Sequence, residues 1–184
     1  QAMIDQARQR LPDPRIRWRV GRAEEFVNEG SERFDLISCG AAFWHFDKLL
    51  HEPIMRCLKL DGSLVFNVPV AQCAGETVAA HPIQAALADL LVTRRDRFPA
   101  LHPRFDRTRF SRLCEANGRD CTWVFDRWEG PQAALVDLLR IPAMAELVAP
   151  GLSSLALDEL VEEAAVRVDL DQPVCVDWWF ARVG

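Results

Sequence analysis

Apolar and polar positions alternate along this chain with two periods, and their order predicts interleaved helices and strands. Met3, Ile4, Ala7 and Leu11 recur at helical spacing, and Pro12-Asp13-Pro14 ends that run because proline cannot continue a helix. Ile16, Trp18 and Val20 alternate with arginines, the pattern of a strand with one polar face. Phe34 to Ser38 reads as a short apolar strand. Asp47 to Leu58 reads as a helix with Leu50, Ile54 and Leu58 along one side. Asp61-Gly62 reads as a turn, and Ser63 to Val68 as a strand stopped by Pro69. Ile83, Ala86, Leu87, Leu90 and Leu91 form a helical stripe. Arg94 to Pro103 is expected to be a loop, after which Asp106 can cap a helix, with Phe105 and Phe110 placed as a hydrophobic staple. Asn117-Gly118 ends that helix in left-handed fashion. Cys121 to Phe125 predicts a strand, and two or three helices follow between Gln132 and Val166, broken at Pro142 and Pro150-Gly151. Val174 to Val183 predicts a last strand.

Strands interleaved with helices indicate an α/β layered fold. With 184 residues, 49% of them hydrophobic, the chain can form one domain with a sizeable core or a domain with a small elaboration. The net charge of −5 argues against a nucleic-acid face, which needs a basic surplus. No apolar run approaches the roughly 20 residues that cross a bilayer, so no membrane partner is expected. The polar start, Gln1 to Arg10, does not have the pattern of a signal peptide. Six cysteines (39, 57, 73, 114, 121 and 175) make no Cys-x-x-Cys pair and no zinc spacing. Most lie in apolar runs, as expected of reduced core thiols in a cytoplasmic protein, and no metal site is predicted. The absence of tyrosine excludes chemistry that needs a phenol.

Candidate chemistry sits in three turns. Gly21-Arg22-Ala23-Glu24 follows the first expected strand. Cys39-Gly40-Ala41-Ala42 follows the second, where small residues let backbone approach a ligand. Phe43-Trp44-His45-Phe46-Asp47 comes next: an aromatic wall that attracts cations, with a histidine able to act as a general base. Each has a plainer explanation: Glu24 and Glu25 suit the first turn of a helix, the small residues make a tight turn, and His45 is the polar edge of an aromatic cluster. Between Arg94 and Arg112, seven arginines stand against Asp96 and Asp106, a local surplus of five positive charges. That stretch reads as a lid for a carboxylate or phosphate substrate, with His81 and His102 in the same insertion, or as a partner for the acidic Asp158, Glu159, Glu162 and Glu163.

The ordered series from Trp18 to Phe66, closing on Arg56-Cys57-Leu58-Lys59-Leu60-Asp61-Gly62 and an apolar run, resembles the later half of the class I S-adenosylmethionine-dependent methyltransferase core. The small-molecule branch that includes trans-aconitate methyltransferases is the nearest pattern. The resemblance implies a Rossmann-like sheet and S-adenosylmethionine as cofactor. It implies that Arg22, Ala23 and Glu24 lie at the adenine, where the family usually reads Gly-Asp-Ala-Glu. Arg22 replaces that aspartate and cannot accept from an amine, which leaves the Ala23 backbone or Glu24 for adenine. Cys39, Gly40 and Ala41 would line the methionine side, Trp44 the sulfonium, and His45 the acceptor; the family often shows His-Trp-Phe where this chain has Trp-His-Phe.

The division expected is residues 1–74 as a partial core, 75–118 as a helical cap, and 119–184 as the closing strands with inserted helices at 131–166. The family's strand order, 3-2-1-4-5-7-6, would put two strands and the Gly-rich loop upstream of Gln1, leaving a gap between Ile16–Val20 and Phe34–Ser38. The expectation is therefore a fragment, or a chain with residues preceding Gln1. Asn67-Val68-Pro69-Val70 departs from the motif of DNA-base amino methylases. The expected activity is methyl transfer to oxygen or carbon of a small, anionic molecule. A non-catalytic binding or scaffold relative, and a nicotinamide-dependent Rossmann enzyme, are the alternatives.

Overall fold

The computed structural model describes residues 2–28, 32–40, 42–76, 78, 81–93, 105–140 and 153–184. Its centre is a four-stranded sheet of β1 (Phe34–Cys39), β2 (Leu58–Pro69), β3 (Cys121–Pro131) and β4 (Pro173–Val183), in the order β1-β2-β4-β3. β1 runs parallel to β2, while β4 is antiparallel to both β2 and β3. This is the 4-5-7-6 half of the order implied by the resemblance, and the mixed α/β fold is the expected one. The helices are α1 (Ala2–Arg10), α2 (Ala23–Asn28), α3 (His51–Arg56), α4 (Pro82–Thr93), α5 (Arg107–Ala116), α6 (Gln132–Leu139) and α7 (Ser154–Ala165).

Two apolar clusters hold these elements. Period-two alternation puts Leu64, Phe66 and Val68 of β2 on one face of the sheet, where they meet Ala181 and Val183 of β4. Ile54 and Met55 of α3 and Phe110 and Cys114 of α5 close over that face. Its centre is aromatic: Phe43 stacks on Phe66 at 3.9 Å, and Phe110 meets Phe66 edge-on at 5.2 Å. The second cluster is helical, with Leu87 and Leu91 of α4, Leu135 and Leu139 of α6, and Leu157 and Leu160 of α7 packing around Val174.

Caps follow the sequence closely. Asp106 accepts from the Arg109 backbone N–H at 2.9 Å and starts α5, with Phe105 and Phe110 buried 5.6 Å apart beneath it. Gly118 ends the α5 region at φ 68°, a left-handed conformation that glycine adopts without a Cβ penalty.

Three expectations need correction. Ile16–Val20 is not a strand: Ile16 and Val20 are exposed, and the segment does not pair beside β1, which lies at an edge of the sheet. Alternation alone makes no strand without a neighbour to accept its hydrogen bonds. The Asp47–Leu58 helix is broken, with Asp47 capping a 3-10 turn at Lys48–Leu50 before α3 begins at His51. Asp61-Gly62 lies inside β2, not in a free turn. There the register slips, so that Phe34 pairs with Leu58 while Leu36 pairs with Ser63. Gly62 serves close approach: a Cβ there would lie 2.5 Å from the Phe34 carbonyl oxygen.

Candidate functional site

β1 points its carboxyl end at the turns that carry the candidate residues, the end at which open α/β sheets bind ligands. A groove of about 330 Å3 lies between α2, β1 and α3 and brings together Ala23 and Cys39, two of the expected cofactor contacts. Phe26, Ile37, Phe43 and Phe46 wall it with apolar surface. Burial pushes the Cys39 thiol pKa up, so this side chain presents a neutral, soft surface and not a thiolate.

Arg22 and Glu24 lie at the start of α2 and face each other, with Arg22 Nε 3.6 Å from Glu24 Oε2. The Arg22 backbone N–H points to Glu25 Oε2 at 3.4 Å. The Glu25 side chain thus caps the start of α2, while the Arg22 and Glu24 side chains pair with each other and neither lines the groove. Gly40 is exposed, with open space where a Cβ would be. Ala41 lies outside the described residues. Trp44 is buried, with its Nε1 donor unpartnered, and its ring lies 3.6 Å from the exposed His45. Trp44 belongs to the wall behind Phe43 and is not a lining residue of the groove.

The lining of the groove can be compared with the S-adenosylmethionine that the resemblance implies. Its aromatic and aliphatic walls would suit a flat ring and, through their ring faces, a sulfonium, but no acidic side chain lines it to take ribose hydroxyls. Among the described residues no group of histidine, cysteine, aspartate or glutamate side chains could hold a metal ion.

Of the arginine-rich stretch, residues 94, 95, 97 and 104 lie outside the described residues, as does His102. Arg107 reaches Glu76 at 2.6 Å and lies 3.7 Å over the Trp179 ring. Of the acidic residues of α7, Glu162 pairs with Arg140 and Glu163 with Arg167. Arg109 and Arg112 instead border a second cavity, of about 390 Å3, between the starts of α3 and α5. His51 lines it too, 8% exposed, with its Nε2 lacking any hydrogen-bond partner. Burial, with the Arg109 charge adding to it, lowers the His51 pKa to about 4. Sequence reasoning missed His51, because its neighbours on α5 lie more than fifty residues away. The histidine singled out in the insertion, His81, is half-buried at the start of α4, and burial lowers its pKa.

Residues 1–66 match a methyltransferase domain family. The resemblance to class I S-adenosylmethionine-dependent methyltransferases therefore stands on that stretch, with no trans-aconitate branch singled out. Among solved structures, the chain is similar to one described as a sarcosine dimethylglycine methyltransferase from Galdieria sulphuraria, at 16% identity and a TM-score of 0.42, covering 86% of this chain and 56% of that one. It is similar to the apo form of a mycolic acid cyclopropane synthase, at 16% identity and a TM-score of 0.44, covering 86% and 61%. A cyclopropane-fatty-acyl-phospholipid synthase-like protein from Lactobacillus casei gives 12% identity and a TM-score of 0.43, covering 89% and 60%. The chain thus spans about three fifths of the length of these structures. No curated protein matches it.

Proposed function

We propose that this chain supplies the later half of an S-adenosylmethionine-dependent methyltransferase site that acts on oxygen or carbon of a small molecule. The observation that carries the reading is the methyltransferase-domain match over residues 1–66, the stretch that also builds the groove beside β1. When bound, S-adenosylmethionine supplies an electrophilic sulfonium methyl. The chain's part is mainly to hold acceptor and methyl in line, a task that needs few reacting side chains. The Ala23 backbone would meet the adenine, joined by Glu24 once its pair with Arg22 opens toward the groove, Cys39 to Ala41 would line the methionine side, and Trp44 would back the wall on which the sulfonium rests. His45, exposed at the end of that wall, would take the proton of an acceptor hydroxyl on an imidazole nitrogen.

Among the described residues no helix is long and apolar enough to cross a membrane, and a cytoplasmic setting goes with this reading. A second reading, a non-catalytic relative, is favoured by one observation: Glu24, left to accept from adenine, is engaged by Arg22. Turnover separates the two. Methylation of an acceptor lost in the His45→Ala variant, with S-adenosylhomocysteine affinity retained, supports the enzyme; affinity with no transfer to any acceptor supports the binding subunit.

A further inference from the structure

We propose that the cavity between α3 and α5 is a binding site for a small organic carboxylate with an apolar body. The charge around it is uncommitted in one sense only. Its two acids are engaged: Glu52 accepts from Arg56 at 2.5 Å, and Asp106 caps α5. Its three cations, Lys48, Arg109 and Arg112, form no ion pair among the described residues. Arginine forks match carboxylate geometry, and Arg109 and Arg112 lie three positions apart on α5, so both project from one side of the helix.

His51 is the second, independent sign. A buried polar atom without a partner costs about 1–3 kcal/mol, and native structures leave few of them. His51 Nε2 is such an atom, on a side chain that lines this cavity. Nε2 is sealed in the present packing, so a ligand meets it only after the ring turns toward the cavity; neutral at physiological pH, the imidazole could then donate to a carboxylate without adding charge. Phe105 and Phe110 make the floor apolar, so a bare inorganic anion would leave much of the space unfilled. The volume, about 390 Å3, is that of a small-ligand pocket.

The cavity adjoins the groove described above. Phe43 walls that groove and stacks on His51 at 4.9 Å, so this pair of rings partitions the two spaces. As the acceptor's seat, the cavity rests on the methyl-transfer reading; as a carboxylate site it does not, and its test uses no methyl donor.

The test titrates 3-phenylpropionate into the full chain, followed by calorimetry and by NMR of the His51 imidazole. 3-Phenylpropanamide, acetate and inorganic phosphate are the comparison probes. The proposal expects the acid to bind and shift the His51 signals, with the amide and acetate at least about tenfold weaker and phosphate not displacing it. The doubly substituted R109Q/R112Q protein, whose changes are on the surface, should melt as the parent does and bind the acid at least about tenfold more weakly. No binding of 3-phenylpropionate, equal binding of acid and amide, an unmoved His51 signal, unchanged affinity in R109Q/R112Q, or displacement by phosphate would each overturn it. Because no donor is present, failure here leaves the methyl-transfer reading standing, and failure of donor binding leaves this site standing.

Discussion

Replacing Gln132 by leucine should destabilise the protein far more than its single position suggests. Gln132 is fully buried at the start of α6 and ties two distant segments together. Its Oε1 accepts from the Ile83 backbone N–H at 3.0 Å, and its Nε2 donates to the Asp169 carbonyl at 2.9 Å. Leucine fills a similar volume but removes both bonds. Ile83 is the second residue of α4, where no intrahelical acceptor exists, and its side chain is completely buried. An orphaned buried N–H costs about 1–3 kcal/mol, and the second bond about 0.5–1.5 kcal/mol. The added apolar burial returns about 1 kcal/mol. The net loss is about 0.5–3.5 kcal/mol, or about 1–14 °C in Tm for a chain of this size. Urea denaturation monitored by tryptophan fluorescence measures it. A loss below about 0.5 kcal/mol would refute the bridging role and show that Ile83 finds another acceptor. Glutamate at this position keeps the acceptor for Ile83 but buries a charge, so its penalty should be larger at pH 8 than at pH 5.

Gly62→Ala should cost about 1–3 kcal/mol in thermal unfolding, because its Cβ would meet the Phe34 carbonyl oxygen at 2.5 Å; an unchanged melt would show that β2 moves aside freely. His51 binds its proton at about 4 in the folded protein against 6.5 ordinarily, so the unfolded chain takes up the proton first. Unfolding free energy should therefore fall by up to about 2–3 kcal/mol as pH drops from about 6.5 to about 4, with His81 acting in the same sense. His51→Phe should flatten that slope, and a parallel slope in the variant would contradict the assignment. Asp177→Asn should remove the paired bonds from Arg127, at 2.7 and 2.9 Å across β3 and β4, at a cost of about 0.5–1 kcal/mol at pH 7. That pair lowers the Asp177 pKa, so the difference between variant and parent should vanish as pH falls below the carboxylate range.

What could be read from the sequence was whatever local chemistry decides. The Asp106 cap over Phe105 and Phe110, the Gly118 stop and the Ile83–Leu91 stripe were all legible, because each is settled within a few residues. β2 and β4 were legible because their alternation faces a real core. Ile16–Val20 shows the same alternation and forms no strand, since a strand depends on a neighbour that no local pattern can guarantee. β3 runs on to Pro131, well past the predicted Phe125, because pairing along β4 carries it through Arg127, Glu129 and Gly130. The candidate site was legible at Ala23 and Cys39, which share the groove. His51 and its two arginines were not, because only the packing of α5 over α3 brings them together.

The most direct test of the methyltransferase reading is calorimetric titration of S-adenosylhomocysteine into the protein at its natural length, with the Ala23→Trp variant, which fills the groove, as control. The account predicts micromolar binding, about −8 kcal/mol, that the variant abolishes while still folding. No binding by the parent, or equal binding by the filled variant, would contradict it.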